Sequence, residues 1–306
     1  MSIYIQTPLI QSQPLSQKTG AIIWLKMENA QPSGSFKLRS ISHACLHHQQ
    51  QGAKKFISSS GGNAGIAVAY TGHQLGIPVT VVIPETTSAR AKELIEQEGA
   101  EVIVHGASWT EANALAQSLV IDQAVFIHPF DDALLWQGIV SMIDEVIAEG
   151  VRPTAVVLSV GGGSLLSGVI QGLEKHTLSN IPIYAVETTG TASLHASMQE
   201  KQWVKLPAVT GIATTLGAQQ VCQNAFDISQ TRNIHSVVVS DAETVNACLN
   251  FVDDHRVLVE PACGASLSVL YQQKVQFKAQ DQVLVIVCGG ASITLNSLLN
   301  DAKTMA

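Results

Sequence analysis

Short runs of β-branched and aliphatic residues alternate along the chain with longer stretches whose apolar positions recur every three to four residues. The runs predict strands at Ile22–Met27, Lys55–Ser59, Val79–Ile83, Glu101–Val104, Val125–His128, Val156–Val160, Ile183–Glu187, Val237–Val239 and Val283–Val287. Helical periodicity follows most of them, as at Ser88–Gln97, Trp109–Leu119 and Leu134–Ala148. Such alternation predicts an α/β protein with parallel sheets covered on both faces, and ligand sites beyond the carboxyl ends of the strands. No repeat, low-complexity tract or long linker interrupts the pattern, so composition marks no domain boundary.

Bulk properties narrow the function classes. With 306 residues, 46% apolar and 13% charged, the chain can bury a large core and suits two domains. A net charge of −7 without Lys/Arg blocks argues against nucleic acid and anionic membranes as partners. No apolar run approaches the length of a bilayer span, and Met1 to Gln17 lacks the layout of a secretory leader, so a soluble cytoplasmic protein is expected. Cys45, Cys222, Cys248, Cys263 and Cys288 are odd in number, scattered and free of any C-x-x-C pair, which predicts reduced thiols.

One segment carries unusual chemistry. Pro32-Ser33-Gly34-Ser35-Phe36-Lys37-Leu38-Arg39 precedes an apolar-periodic run (Leu38, Ile41, Ala44, Cys45), which predicts a helix from about Gly34 or Ser35 with Ser33 or Ser35 as its cap. Lys37 then falls in the first turn, where the helix dipole disfavours a cation and favours the neutral, nucleophilic amine. Two strands run into glycine-rich turns followed by helical pattern: Ser60-Gly61-Gly62-Asn63 before Ala64–Leu75, and Gly161-Gly162-Gly163-Ser164 before a helix from about Leu165. Backbone N–H groups at such junctions make anion sites. The second is not a dinucleotide fingerprint, since Leu166 stands in the third glycine's place, nor a P-loop, since no lysine follows. His43, Cys45, His47 and His48 lack the partners of a metal motif, so a solvated helix face is the better reading. No G-x-S-x-G elbow occurs, and Ser35–Lys37 is not the S-x-x-K spacing.

Taken together, these motifs resemble those of the fold type II (tryptophan synthase β-like) pyridoxal-phosphate enzymes. Gln31–Arg39 is similar to their lysine motif, Ser58–Gly65 to their asparagine loop, Val160–Gly168 to their phosphate cradle, and Val287-Cys288-Gly289-Gly290 to the segment facing the pyridine nitrogen. Pro129–Asp132, Ala185–Thr188 and Glu260–Ala265 add support, and the likeness runs from Thr7 almost to the C-terminus. The nearest group is the L-serine dehydratases/L-threonine deaminases without a regulatory domain.

The resemblance implies two parallel-sheet domains with the cofactor between them: residues 1–39 and 135–306 as a large domain, 40–134 as a small inserted one. It implies pyridoxal 5'-phosphate on Lys37 as a Schiff base, with Lys37 also removing the Cα proton. Gly161, Gly162, Gly163, Ser164 and Leu165 would take the phosphate, where Ser164 replaces the family's usual fourth glycine. Asn63 would bond the phenolic oxygen, and Phe36 and Thr215 would flank the ring, although a small apolar residue is commoner than threonine there. Cys288 would face the ring nitrogen; a thiol supports a protonated pyridinium poorly, which suits expulsion of a β-leaving group. Ser60, Gly61, Gly62, Asn63 and Ala64 would hold the substrate carboxylate.

Glu187 and the carbonyls of Gly161, Thr191, Leu216 and Ala218 correspond to a cation site, for potassium or another cation. The expected activity is α,β-elimination of L-serine to pyruvate and ammonia, with L-threonine giving 2-oxobutyrate, by a homodimer. Rival readings are a serine racemase, a cysteine-synthase-like β-replacement enzyme, or a degenerate amino-acid-binding homologue. Related racemases carry a serine two residues before the asparagine, where this chain has Gly61. The short stretch after Cys288 leaves no room for a regulatory domain, so no response to isoleucine is expected.

Overall fold

The computed structural model describes residues 2–305 and contains two sheets. The chain opens with β1 (Leu9–Gln11), α1 (Gln13–Thr19) and β2 (Ile22–Met27), then enters α2 (Lys37–Gln50). Next come β3 (Lys55–Ser58), α3 (Asn63–Leu75), β4 (Val79–Ile83), α4 (Ala89–Gln97), β5 (Glu101–Val104), α5 (Trp109–Ser118) and β6 (Ala124–Phe126). After α6 (Ala133–Ala148) follow β7 (Ala155–Ser159), α7 (Ser164–Lys175), β8 (Ile183–Thr188), α8 (Ser193–Glu200), α9 (Gln223–Thr231) and β9 (Ile234–Val239). The chain closes with α10 (Asp241–His255), α11 (Pro261–Tyr271), β10 (Gln282–Val287) and α12 (Leu295–Met305).

The smaller sheet has the order β5-β4-β3-β6 and is wholly parallel. The larger has the order β1-β2-β10-β7-β8-β9 and is parallel except for β1, which pairs antiparallel with β2. That edge strand breaks the all-parallel expectation: it is three residues long and mostly exposed, with no apolar run to announce it. Central strands behave as expected of parallel sheets covered on both faces, β4 and β7 being buried at every position. Elsewhere the expected strands and helices shift by a few residues, β9 starting at Ile234 and β6 ending at Phe126.

A buried ion cluster ties the start of α2 to the larger sheet. The Arg39 guanidinium, with no solvent exposure, meets Glu28 through Nε (2.8 Å) and Glu145 through Nη1 (2.6 Å). Lys26 Nζ reaches Glu145 at 2.6 Å, and Thr7 Oγ1 donates to Glu28 at 2.6 Å. Burial opposes the charge on Arg39, but the bonds from both carboxylates outweigh it and hold the group cationic. Strand β2, helix α2 and helix α6 thus share one neutral set of two cations and two carboxylates.

Candidate active site

Helix α2 begins at Lys37 rather than at Gly34 or Ser35, and neither Ser33 nor Ser35 caps it: Phe36 holds the cap position without a side-chain bond. The reason lies in where residues 34–36 are used. Gly34 turns with φ +77°, a conformation that disfavours a side chain, and Ser35 pairs antiparallel with Gly289. Phe36 N–H donates to the Cys288 carbonyl (2.9 Å) and Gly290 N–H to the Gly34 carbonyl (3.1 Å). The lysine motif is therefore stitched to the end of β10, and this brings Lys37 and Cys288 to one cleft.

That cleft, about 880 Å³, opens at the carboxyl ends of β3, β6, β7 and β10. Phe36, Lys37, Ser60, Gly61, Gly62, Asn63, Ala64, Gly161, Gly162, Gly163, Ser164, Leu165, Thr215, Leu216, Ala218 and Cys288 all line it. Glu187 and Thr191 lie outside its lining, both fully buried. The Glu187 carboxylate accepts from the N–H groups of Leu194 (2.8 Å) and His195 (2.7 Å) at the start of α8, and burial pushes its pKa up to about 8. His43 and His47 project from the exposed side of α2.

Lys37 Nζ donates to the Pro129 carbonyl at 2.7 Å and meets Ser164 Oγ at 3.1 Å. Burial pulls its pKa down to about 8. The pKa thus moves in the expected direction, but desolvation rather than the helix dipole is the main cause. Ser164, in the place of a fourth glycine, adds a hydroxyl against the amine while keeping its backbone N–H at the first position of α7.

Both glycine turns feed helices. Gly163 caps α7 with φ +91°, and a Cβ there would come within 2.6 Å of Ala225. A side chain is excluded on both counts, so the backbone can close around an anion in front of the free N–H groups of the first helical turn. Gly62 caps α3 in extended conformation, which leaves Asn63 as its first residue.

The Cys288 thiol is held in its neutral form by the Cys263 side chain and by burial, which push its pKa well up. Two polar cleft residues, Glu260 and His128, make contacts that the sequence pattern does not reveal. Glu260, at the cap position of α11, accepts on Oε1 from Asn63 Nδ2 (2.6 Å) and Thr215 Oγ1 (2.8 Å). His128 Nδ1 accepts from the N–H groups of Phe130 (3.2 Å) and Asp131 (2.8 Å), and burial, then the Lys37 charge, push its pKa down to about 4. His128 ends an expected strand, the position where ligand groups gather, and that was its only signal.

These residues fit a phosphorylated pyridine aldehyde. The cleft offers an amine inclined to neutrality, an anion cradle at a helix N-terminus, and two buried acceptors without partners, Asn63 Oδ1 and Glu260 Oε2. Buried polar atoms without partners are uncommon in proteins, and two in one cleft point to a polar ligand.

Comparison with known proteins agrees. A model of the family "pyridoxal-phosphate dependent enzyme" matches residues 1–289. The chain is 43% identical over 309 residues to the L-serine dehydratase/L-threonine deaminase of Mus musculus, covering 97% of this chain and 94% of that one. It is likewise 43% identical over 321 residues to the L-serine dehydratase of Dictyostelium discoideum, covering 97% and 92%. A fungal L-serine ammonia-lyase from Rhizomucor miehei superposes with a TM-score of 0.95 at 33% identity, over 100% of both chains.

Proposed function

Because the chain belongs to the family of pyridoxal-phosphate-dependent enzymes, we propose that it is an L-serine dehydratase, an ammonia-lyase that also takes L-threonine. The observation that carries this reading is the Lys37 amine, lowered to about 8 by burial, between the asparagine loop and the Gly161–Leu165 cradle in one cleft. Bound here, pyridoxal phosphate supplies an electron sink for the bond broken at Cα. Gly161, Gly162, Gly163, Ser164 and Leu165 would hold its phosphate, Asn63 its phenolic oxygen, Phe36 and Thr215 its ring faces, and Cys288 its ring nitrogen.

The chain's own groups then do the following. The loop Ser60–Ala64 grips the substrate carboxylate with its backbone N–H groups and orients the Cα–H bond towards Lys37. Uncharged Lys37 Nζ takes the Cα proton, and the ammonium so formed returns it to the β-oxygen, so that the Cβ–O bond breaks, water leaves and the electron pair forms a Cα=Cβ bond. A neutral thiol at Cys288 leaves the ring nitrogen without a charged partner, which favours loss of the β-substituent over a long-lived carbanion.

Elimination without racemisation belongs to the same reading. Gly61 has no side chain to reprotonate Cα from the face opposite Lys37. Nor does Gly61→Ser install one cleanly, since its Cβ would meet Thr87 Oγ1 at 2.4 Å. Keto-acid assays with L- and D-serine and L- and D-threonine, followed by chiral chromatography, test both points. Pyruvate from L-serine, 2-oxobutyrate from L-threonine, and no D-serine are expected; D-serine forming as fast as pyruvate would make the protein a racemase.

A homodimer in the cytoplasm, with domain boundaries at 39/40 and 134/135, completes the proposal. Segregation of the strands into a sheet from residues 55–126 and another from 9–27 and 155–287 supports those boundaries. Light scattering on the purified protein reads the dimer directly. A monovalent cation at Glu187, with the Gly161, Thr191, Leu216 and Ala218 carbonyls, would order the loop beside the phosphate cradle. Activity should then fall severalfold when potassium is replaced by a bulky organic cation with divalent metals chelated; equal activity in the two salts contradicts the cation.

A further inference from the structure

Glu260 has no role in the reading above, yet it meets two residues assigned to the cofactor. It is 4% exposed and stands at the cap of α11, a helix in which every residue is buried. Its backbone is held on both sides: the N–H donates to the Gly289 carbonyl (3.4 Å), and the carbonyl accepts from Cys248 Sγ (3.4 Å). The carboxylate is therefore mounted beside the Cys288 segment, on a backbone bonded to Gly289 within it.

From there a single oxygen, Oε1, takes the Asn63 amide N–H at 2.6 Å and the Thr215 hydroxyl at 2.8 Å. Asn63 starts α3 beside the smaller sheet, Thr215 sits on the segment between α8 and α9, and Glu260 caps α11 in the larger domain's core, so three separate elements converge on one atom. An acceptor oxygen can receive only the NH₂ side of an asparagine amide, so the contact settles which way Asn63 faces. One N–H is thereby spent, and the other remains for a ligand. Thr215 is fixed in the same manner. Its hydroxyl is committed to Glu260, and its methyl is directed towards Gly62, where a Cβ would find Cγ2 at 3.5 Å. The threonine therefore offers the cleft the small apolar surface more often supplied there by another residue.

We propose that Glu260 is a positioning residue: its Oε1 aims the Asn63 amide at the cofactor's phenolic oxygen and turns the Thr215 methyl towards the ring. This rests on the pyridoxal-phosphate reading. The role survives a change in the charge of Glu260, because protonation on the unpartnered Oε2 leaves Oε1 an acceptor.

The test is cofactor affinity rather than turnover. Apo-protein is titrated with pyridoxal phosphate by absorbance for wild type, Glu260→Ala, Glu260→Asp, Glu260→Gln, Asn63→Ala and the Asn63→Ala/Glu260→Asp double variant. Glu260→Asp places a residue favoured at helix caps where Glu260 makes no capping bond, so the fold should hold, but it withdraws the oxygen by one methylene. About tenfold weaker binding is expected for Glu260→Ala and Glu260→Asp, with a shifted absorption maximum of the bound cofactor. Glu260→Gln keeps the acceptor and should stay within about threefold of wild type. The double variant should bind less weakly than the two single effects combined would give, because in Asn63→Ala the Asn63 part of the Glu260 effect is already gone and only the Thr215 part remains. Wild-type affinity and spectrum in Glu260→Asp, or full additivity with Asn63→Ala, overturns the inference. Failure of wild type itself to bind pyridoxal phosphate sinks the functional reading as a whole, a result distinct from either.

Discussion

Lys37→Ala should abolish turnover and the yellow colour of the cofactor-loaded protein while the fold survives. Removal of a positioned general base alone costs about 10²–10⁴ in rate. Here the same amine also anchors the cofactor, so a loss beyond about 10³ is expected. The fold should persist, because Lys37 makes only two polar contacts, to Pro129 and Ser164, and its burial opposes its charge. A pH signature accompanies this in the wild type. With the pKa lowered to about 8, roughly a tenth of the amine is neutral at pH 7 and half at pH 8. Only the neutral amine attacks an aldehyde, so cofactor capture by apo-protein should accelerate as pH rises through 8 and level off above it. Stopped-flow absorbance reads the rate; a rate that keeps rising about tenfold per pH unit through pH 9 without levelling, as for an unperturbed lysine, would contradict the lowered pKa.

Replacement of Arg39 should be the most destabilising single change near the site. Arg39→Met leaves the fully buried Glu28 and the nearly buried Glu145 with only Lys26 for compensation. Loss of one partner from a buried ion pair costs about 3–5 kcal/mol. Arg39→Lys should fall between the two, since an ammonium cannot fork to both carboxylates as the guanidinium does. Urea unfolding of the apo-proteins measures the midpoints. Because α2 begins at Lys37, two residues earlier, cofactor affinity should fall in parallel with stability. A midpoint for Arg39→Met equal to that of wild type would show that the cluster contributes no net stability.

Much of this architecture was legible from the residues because parallel sheets print themselves as apolar runs. β4 and β7, buried at every position, could hardly be misread. The glycine turns after β3 and β7 were legible for the same reason, since each follows such a run and opens a helix. Local pattern failed where long-range contacts decide. The cap of α2 was misplaced because Ser35 and Phe36 pair with Gly289 and Cys288, some 250 residues away, before the helix can start. Helix α11 shows no amphipathic stripe because it is buried on all sides, leaving Pro261 at its first turn as the sole local sign. Glu260 belongs to a stretch that carries the family resemblance, yet its contacts exist only once α3, α11 and the segment at Thr215 meet. The perturbed amine was anticipated for a lesser reason: the helix start matters less than the burial of the cleft floor, which no local pattern encodes.

Lys37, and no other lysine, is proposed to carry the cofactor in the cleft that both glycine turns line. Borohydride reduction of the cofactor-loaded protein, followed by proteolysis and mass spectrometry of the peptides, tests it most directly. A single pyridoxyl-phosphate adduct on the peptide containing Lys37, at about one per chain, is expected. An adduct located on any other lysine, with the Lys37 peptide unmodified, would contradict it.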